Sequence, residues 1–261
     1  MDRKNVFYYM NCSLFIDNKS YTYNTKCFYD LSIPINFNGH QVNFFDVSKA
    51  TAAPYKSGAI IGSTKKGGGC NFDVLSLIPH CNGTHTECVG HIVDDDININ
   101  TILEDNLFPS TLISVHSVDD LIHSDQIKID NVNFNSGLII RTLPNDNTKT
   151  SMTYDSKNIP PYFSENAMYK IKELGVTHLL VDMPTIDLTY DNGKLINHHI
   201  FWNINQGSHK INGSVSNKTI TEMIFVPNQI KDGNYLLQLQ VINFSGDAAP
   251  SRPIIYPLEI T

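Results

Sequence analysis

His80-Cys81-Asn82-Gly83-Thr84-His85-Thr86-Glu87-Cys88-Val89-Gly90-His91 carries three histidines, two cysteines and one carboxylate in twelve residues. Those are the side chains that bind borderline divalent metals such as zinc. His85 and Glu87 stand two apart, so on an extended strand both point to one face. Gly83, just before them, permits a tight turn that gathers ligands. His91 lies six residues past His85, about 20 Å away along a straight strand. It joins such a site only if the chain turns back, which Gly90 permits. Cys88 reads as a small buried residue. Clusters of these residue types also arise as plain surface or core.

The segments around the cluster read as mixed α/β. Residues 72–78 are rich in apolar side chains and suggest a strand leading into it. Residues 29–35 alternate apolar and polar and read as a strand stopped by Pro34. Residues 136–142 read as a buried strand. The helix expected over 164–174 has Ser164 as N-cap and Glu165 in the first turn, where the helix dipole favours a negative charge. Ala167, Met168, Ile171 and Leu174 share one face, and Gly175 is placed to end the helix. Residues 177–184 follow at once as a buried strand covered by that helix. In the C-terminal third, residues 224–226 and 235–241 read as strands on either side of Asp232-Gly233-Asn234. Many strands and few helices, with no repeat, low-complexity block or linker, suggest one domain over 1–261.

At 261 residues and 41% hydrophobic content the chain can bury a sizeable core. Its net charge of -7, without any Lys/Arg run, argues against nucleic acid and anionic membrane surfaces. No apolar stretch approaches the roughly 18–20 residues that span a bilayer. The first ten residues start basic but lack the apolar centre of a signal peptide. Five cysteines without a paired pattern do not suggest a disulfide framework, so the expected compartment is the reducing cytoplasm. The glycines of Lys65-Lys66-Gly67-Gly68-Gly69 form a loop without the Lys-Ser/Thr of a P-loop.

Several segments in order resemble the cyclase family of metal-dependent hydrolases, which includes bacterial kynurenine formamidase and isatin hydrolase. The family carries His-x-Gly-Thr-His-x-Asp-x-Pro-x-His, and Gly83-Thr84-His85-x-Glu87 with His91 falls on that pattern. Asp30-Leu31-Ser32-x-Pro34 resembles its N-terminal strand. Asp182-Met183-Pro184-Thr185-Ile186-Asp187 resembles its Gly-x-Asp-x-x-Ser-x-Asp run. His198-His199-Ile200-Phe201-Trp202 resembles the second metal-histidine segment, Thr221-Glu222 the late glutamate, and Asp247 to Pro253 the C-terminal Pro-x-Arg turn. The resemblance spans about residues 28–257, leaving 1–27 as an N-terminal extension.

The resemblance implies a single-domain swivelling β/β/α-type fold, a mixed sheet flanked by few helices. It implies a metal site of His85, Glu87, His198 and Glu222 plus one further ligand. It implies one or two divalent ions, zinc first and manganese second, and His91 as acid/base. The implied reaction is hydrolysis of an amide, aryl formamide or cyclic amide C–N bond, with a metal-bound hydroxide as nucleophile. Its expected partners are a small-molecule substrate and further copies of the chain, as a dimer or tetramer, with no nucleic acid or membrane. The sequence departs from the family at Glu87 for aspartate, at Val89 for proline and at Cys81 for the first histidine. His80, one residue earlier, supplies the fifth ligand if a one-residue bulge admits it; otherwise the Cys81 thiolate does. These departures keep a second reading open, a catalytically silent metal- or ligand-binding protein on the same fold.

Plainer roles stand beside these. His198 and His199 also read as surface residues, and Glu222 as a solvated carboxylate. Phe44, Phe45 and Trp202 read as core more than as pocket walls. Asp182 and Asp187 read as turn formers at a strand end.

Overall fold

The computed structural model describes residues 10–261. The residues before Met10, read above for a leader, lie outside the described residues. A nine-stranded sheet runs in the order Ala248–Pro250, His85–Glu87, Thr219–Glu222, His178–Val181, Gly137–Leu143, Leu107–His116, Gly233–Gln238, Ile254–Pro257, Tyr29–Asp30. The four strands from Thr219–Glu222 to Leu107–His116 are parallel. The strands outside them pair antiparallel. The hairpin Asn11–Ile16 and Lys19–Asn24 pairs with Glu259–Ile260, which ties the N-terminal extension to the C-terminal end.

The central strands are apolar on both faces because both faces are covered. Leu138, Ile140, Leu179 and Val181 point into one core cluster, while Ile139 and Leu180 point into the other. That alternation is the two-residue period of a strand. The first cluster is closed by two helices, Glu165–Glu173 and Ile196–Trp202, through Ala167, Met168, Ile171, Phe201 and Trp202. Ser164 caps the first helix by accepting from the Ala167 N–H at 3.2 Å, and Gly175 ends it at φ +78°. The second cluster lies where Leu112, Leu237, Ile224 and Ile255 pack against the opposite face. No helix among the described residues is long and apolar enough to cross a membrane.

Two strand expectations are corrected. Of residues 29–35, only Tyr29–Asp30 joins the ladder, followed by a bridge from Ser32 to Ile224. The Asp30 carboxylate takes both the Ser32 N–H and its hydroxyl, so the local turn competes with pairing. Residues 224–226 are not a strand; the strand is Thr219–Glu222, just before them. Met223 sits at φ +53°, which breaks the ladder one residue after Glu222 and leaves that carboxylate at a strand end. Residues 73–76 do form a strand, Asp73–Ser76, but it is exposed and among the described residues pairs only with Thr51–Pro54.

His178 gives the sheet a measurable acid sensitivity. It is buried, its ring lies 3.9 Å from that of Phe108, and its Nδ1 pairs with Thr219 Oγ1 at 2.9 Å. Burial pushes its pKa from the usual 6.5 down to about 4. The unfolded chain therefore protonates first as pH falls. The stability tied to this neutral ring is intact above pH 6.5 and is lost between there and pH 4. Between pH 7 and pH 4.5 the loss is on the order of 2–3 kcal/mol. In urea unfolding at those two pH values, His178→Gln should show a pH-dependent loss smaller than wild type by about that amount. Equal losses in the two proteins would mean the ring is not held neutral.

Candidate metal centre

The strand His85–Glu87 is the axis of the site. It is three residues long and fully buried. Thr86 points one way and pairs with Thr221 Oγ1 at 2.8 Å, so His85 and Glu87 point the other way together. On one side the neighbouring strand sets Glu222 opposite His85; on the other, Ala248 stands opposite Glu87. This register brings His85 Nε2 within 3.5 Å of Glu222 Oε2. His85 Nδ1 pairs with the Gly83 carbonyl at 3.0 Å, an acceptor, so Nδ1 carries the proton and Nε2 faces the glutamate as a lone pair.

His80 arrives on a single helical turn, Pro79–Asn82, rather than through a bulge. Asn82 Oδ1 fixes that turn by accepting from the Ile78 N–H at 2.6 Å. His80 Nδ1 lies 2.9 Å from Glu87 Oε2, and its Nε2 lies 2.7 Å from Asp247 Oδ2. His91 does not lie far along an extended strand. A 3-10 turn, Val89–His91, brings its Nε2 to 3.9 Å from Glu87 Oε2 and stacks its ring 4.2 Å from that of His80. The glycines act differently from the sequence reading. Gly83 is extended, and a Cβ there would meet Ile35 Cγ1 at 2.8 Å. Gly90 is needed for close approach, since a Cβ would fall 2.2 Å from the Ile97 carbonyl oxygen and 3.3 Å from Asp247 Cβ.

His198 comes from the helix Ile196–Trp202. The Asp187 carboxylate caps that helix, accepting from the Asn197 N–H at 2.6 Å and the His198 N–H at 3.3 Å. It also holds His198 Nδ1, which turns Nε2 to 3.0 Å from Glu87 Oε1 and 3.9 Å from Glu222 Oε1. Asp187 is therefore more than a strand-end turn former. Asp182 is buried apart from the cluster and accepts from the Thr142 N–H, its hydroxyl and Lys149 Nζ. His199 is buried too, but lines a different cavity.

Glu87 and Glu222 are buried, and among the described residues no lysine or arginine pairs with either. Burial raises the Glu87 pKa, but His91, His198 and His80 outweigh it and hold the carboxyl well below its usual range. Glu222 shifts upward, through burial and then the Glu87 charge. Burial opposes the charged form of His80 and His198. The carboxylates around them prevail: Asp247 and Glu87 raise His80 to about 10, and Asp187 and Glu87 raise His198. Protons on imidazoles thus balance these carboxylates. Three buried atoms in this knot still lack a hydrogen-bond partner: His85 Nε2, Glu87 Oε2 and Glu222 Oε1. Buried polar atoms are rarely left unpaired. Such an inward-facing set of nitrogen and oxygen lone pairs fits a divalent cation. Ligand atoms of His80, His85 and Glu87, of Glu87, His91 and His198, and of His80, His91 and Asp247 each lie within 4.8 Å of one another.

Cys81, the alternative to His80, is buried, and burial followed by the Glu222 charge pushes its thiol up to about 11. It belongs to none of those groups among the described residues. A cavity of about 400 Å³ opens above the cluster. Phe44, Phe45, Leu188 and Tyr190 wall it, so the two phenylalanines are not only core. The expectation for Trp202 as core holds. Asp247 was missed as a functional residue because the sequence showed it only as the start of a proline-containing turn.

The Cyclase family model, described as "Putative cyclase", matches residues 29–188. The chain belongs to the cyclase family. The solved structures it resembles include a potential metal-dependent hydrolase with cyclase activity, 16% identical over 88% of this chain and 96% of that one, TM-score 0.63. An isatin hydrolase bound to the product analogue thioisatinate is 12% identical over 89% and 92%, TM-score 0.59. Isatin hydrolase A from Ralstonia solanacearum is 14% identical over 88% and 91%, TM-score 0.58. Comparison with curated proteins returned no match. At these identities the likeness establishes a shared fold.

The close approach at Gly90 is testable. Gly90→Ala should force the Val89–His91 turn away from Ile97 and cost about 1–3 kcal/mol of stability, read as a lower urea midpoint. An unchanged midpoint would mean the turn has room to spare.

Proposed function

We propose that this protein is a metal-dependent hydrolase that opens the C–N bond of an amide, aryl formamide or cyclic amide. The observation that carries the reading is the set of buried atoms without hydrogen-bond partners on His85, Glu87 and Glu222, gathered beneath one cavity that Glu87, Glu222, His80 and His198 line. Those five side chains would hold the metal, with zinc favoured by three imidazoles and manganese second because of the two carboxylates. When bound, the ion would polarise a carbonyl and make water nucleophilic at neutral pH. The structures this fold resembles include a potential metal-dependent hydrolase and isatin hydrolases, which supports the same class of reaction here.

The chain's own groups supply the rest. His91 sits at the cavity floor with its side chain 28% exposed, open enough to meet a substrate. It would take a proton from the attacking water and return it to the leaving nitrogen. Asp187 orients His198 through Nδ1, and the Gly83 carbonyl orients His85 in the same way. The rings of Phe44 and Phe45 and the Leu188 side chain offer a dry wall for a flat, apolar substrate body.

Purified without chelator, the protein should contain stoichiometric zinc or manganese by elemental analysis, and His85→Ala should lose most of it. Absence of metal in wild type, or full occupancy in His85→Ala, would overturn the metal site. Turnover of aryl formamides and cyclic imides should vanish on chelation and return with zinc. A protein that keeps its metal but turns over neither these nor simple aryl amides would favour the reading as a binding protein on this fold.

His91→Ala should keep fold and metal while losing about 10²–10⁴-fold in turnover. If the variant loses its metal instead, His91 is a ligand, which its place near Glu87 and His198 allows geometrically.

A further inference from the structure

Asp247 Oδ2 is the one carboxylate oxygen that faces two of the clustered imidazoles from the side opposite Glu87. It lies 2.7 Å from His80 Nε2 and 3.2 Å from His91 Nδ1. A carboxylate only accepts hydrogen bonds, so both of those nitrogens must carry the proton. The other nitrogens, His80 Nδ1 and His91 Nε2, then turn toward Glu87 Oε2, at 2.9 and 3.9 Å. That oxygen has no hydrogen-bond partner, although His80 Nδ1 is close enough to offer one. Once the Nδ1 proton leaves, Nδ1 and Oε2, 2.9 Å apart, would be two ligand atoms facing one cation.

We propose that Asp247 is a positioning residue that sets the tautomers of His80 and His91 together, leaving His80 Nδ1 free to bind metal and His91 Nε2 free to accept a proton. The inference rests on the hydrolase reading above and adds a residue to it. The fold places Asp247 for this task. Its backbone carbonyl accepts from the Cys88 N–H at 3.0 Å, and the next residue, Ala248, pairs with Glu87. Gly90 lacks the Cβ that would crowd Asp247 Cβ at 3.3 Å. The aspartate is thus clamped beside the strand and turn that carry Glu87 and His91. By stacking 4.2 Å apart, the two rings can share one acceptor.

The test is long-range 1H–15N correlation on zinc-loaded protein with 15N-labelled histidine, with signals assigned from single His→Gln variants. Wild type should show His80 protonated on Nε2 and His91 on Nδ1. Asp247→Asn keeps an oxygen that can accept from both rings, as Oδ2 does, so both tautomers should be retained. Asp247→Ala should free both rings and weaken zinc binding about 10–100-fold in competition with a chelator. With zinc saturating, its kcat should fall more than its KM rises. A wild-type His91 protonated on Nε2, or an Asp247→Ala spectrum in which His91 stays protonated on Nδ1 alone, would overturn the proposal. Failure of wild type to take up zinc sinks the hydrolase reading instead; the His91 tautomer in the metal-free protein then still decides this inference.

Discussion

Two carboxylates buried side by side, Glu87 and Glu222, with no lysine or arginine pairing with either among the described residues, constrain the site more than anything else in it. Buried charge is costly unless it is paired and hydrogen-bonded. Here the compensation comes from imidazoles, which can give up their protons and become ligands. Lysine or arginine would neutralise the same charge permanently and leave no lone pair. A knot of carboxylates and histidines is therefore an exchangeable balance, held by protons in one state and by a dication in another.

The sheet exists in a form that serves this balance. The three-residue strand His85–Glu87 is wedged between Thr219–Glu222 and Ala248–Pro250, so two flanking segments deliver Glu222 and Asp247 at fixed register. Met223, at φ +53°, ends one of those strands directly after its glutamate. On the helical side, Asp187 both caps the helix Ile196–Trp202 and aims His198. One carboxylate thereby couples helix initiation to ligand direction. The unpaired N–H groups of a helix start attract negative charge, which the site uses rather than wastes.

The helix at Glu165–Glu173, the buried strands after it and at Gly137–Leu143, and the His85/Glu87 face were legible in the sequence because each rests on a local rule: a cap, a period or a spacing. Positions set by tertiary contacts were not. His80 reads as out of register by one residue until the helical turn Pro79–Asn82 is seen to rotate it inward. Gly83 and Gly90 read as turn formers, yet both are required for space against Ile35 and Ile97, partners 48 and 7 residues away that no local pattern announces. The strand Thr219–Glu222 was displaced in the reading toward residues 224–226 because those are more apolar. Burial of Thr219 and Thr221 through cross-strand hydroxyl pairing outweighs that signal.

Two of the departures from the family pattern, Cys81 and Glu87, lie beside His80 in the folded chain. A cysteine stands where the family has its first histidine, and its thiol is kept protonated by burial beside Glu222. The neighbouring His80, one residue earlier, presents Nδ1 to Glu87. Its Nε2 then points outward, and a histidine that is to serve as a ligand needs an acceptor on its outer nitrogen to fix its tautomer. Asp247 lies there, and it reaches His91 as well. A glutamate in place of aspartate at position 87 extends the carboxylate by one methylene, enough to touch His80, His91 and His198 at once. His80, Glu87 and Asp247 are in this sense one linked set of contacts. Replacing Asp247 or Glu87 would leave His80 without the acceptor on one of its two ring nitrogens.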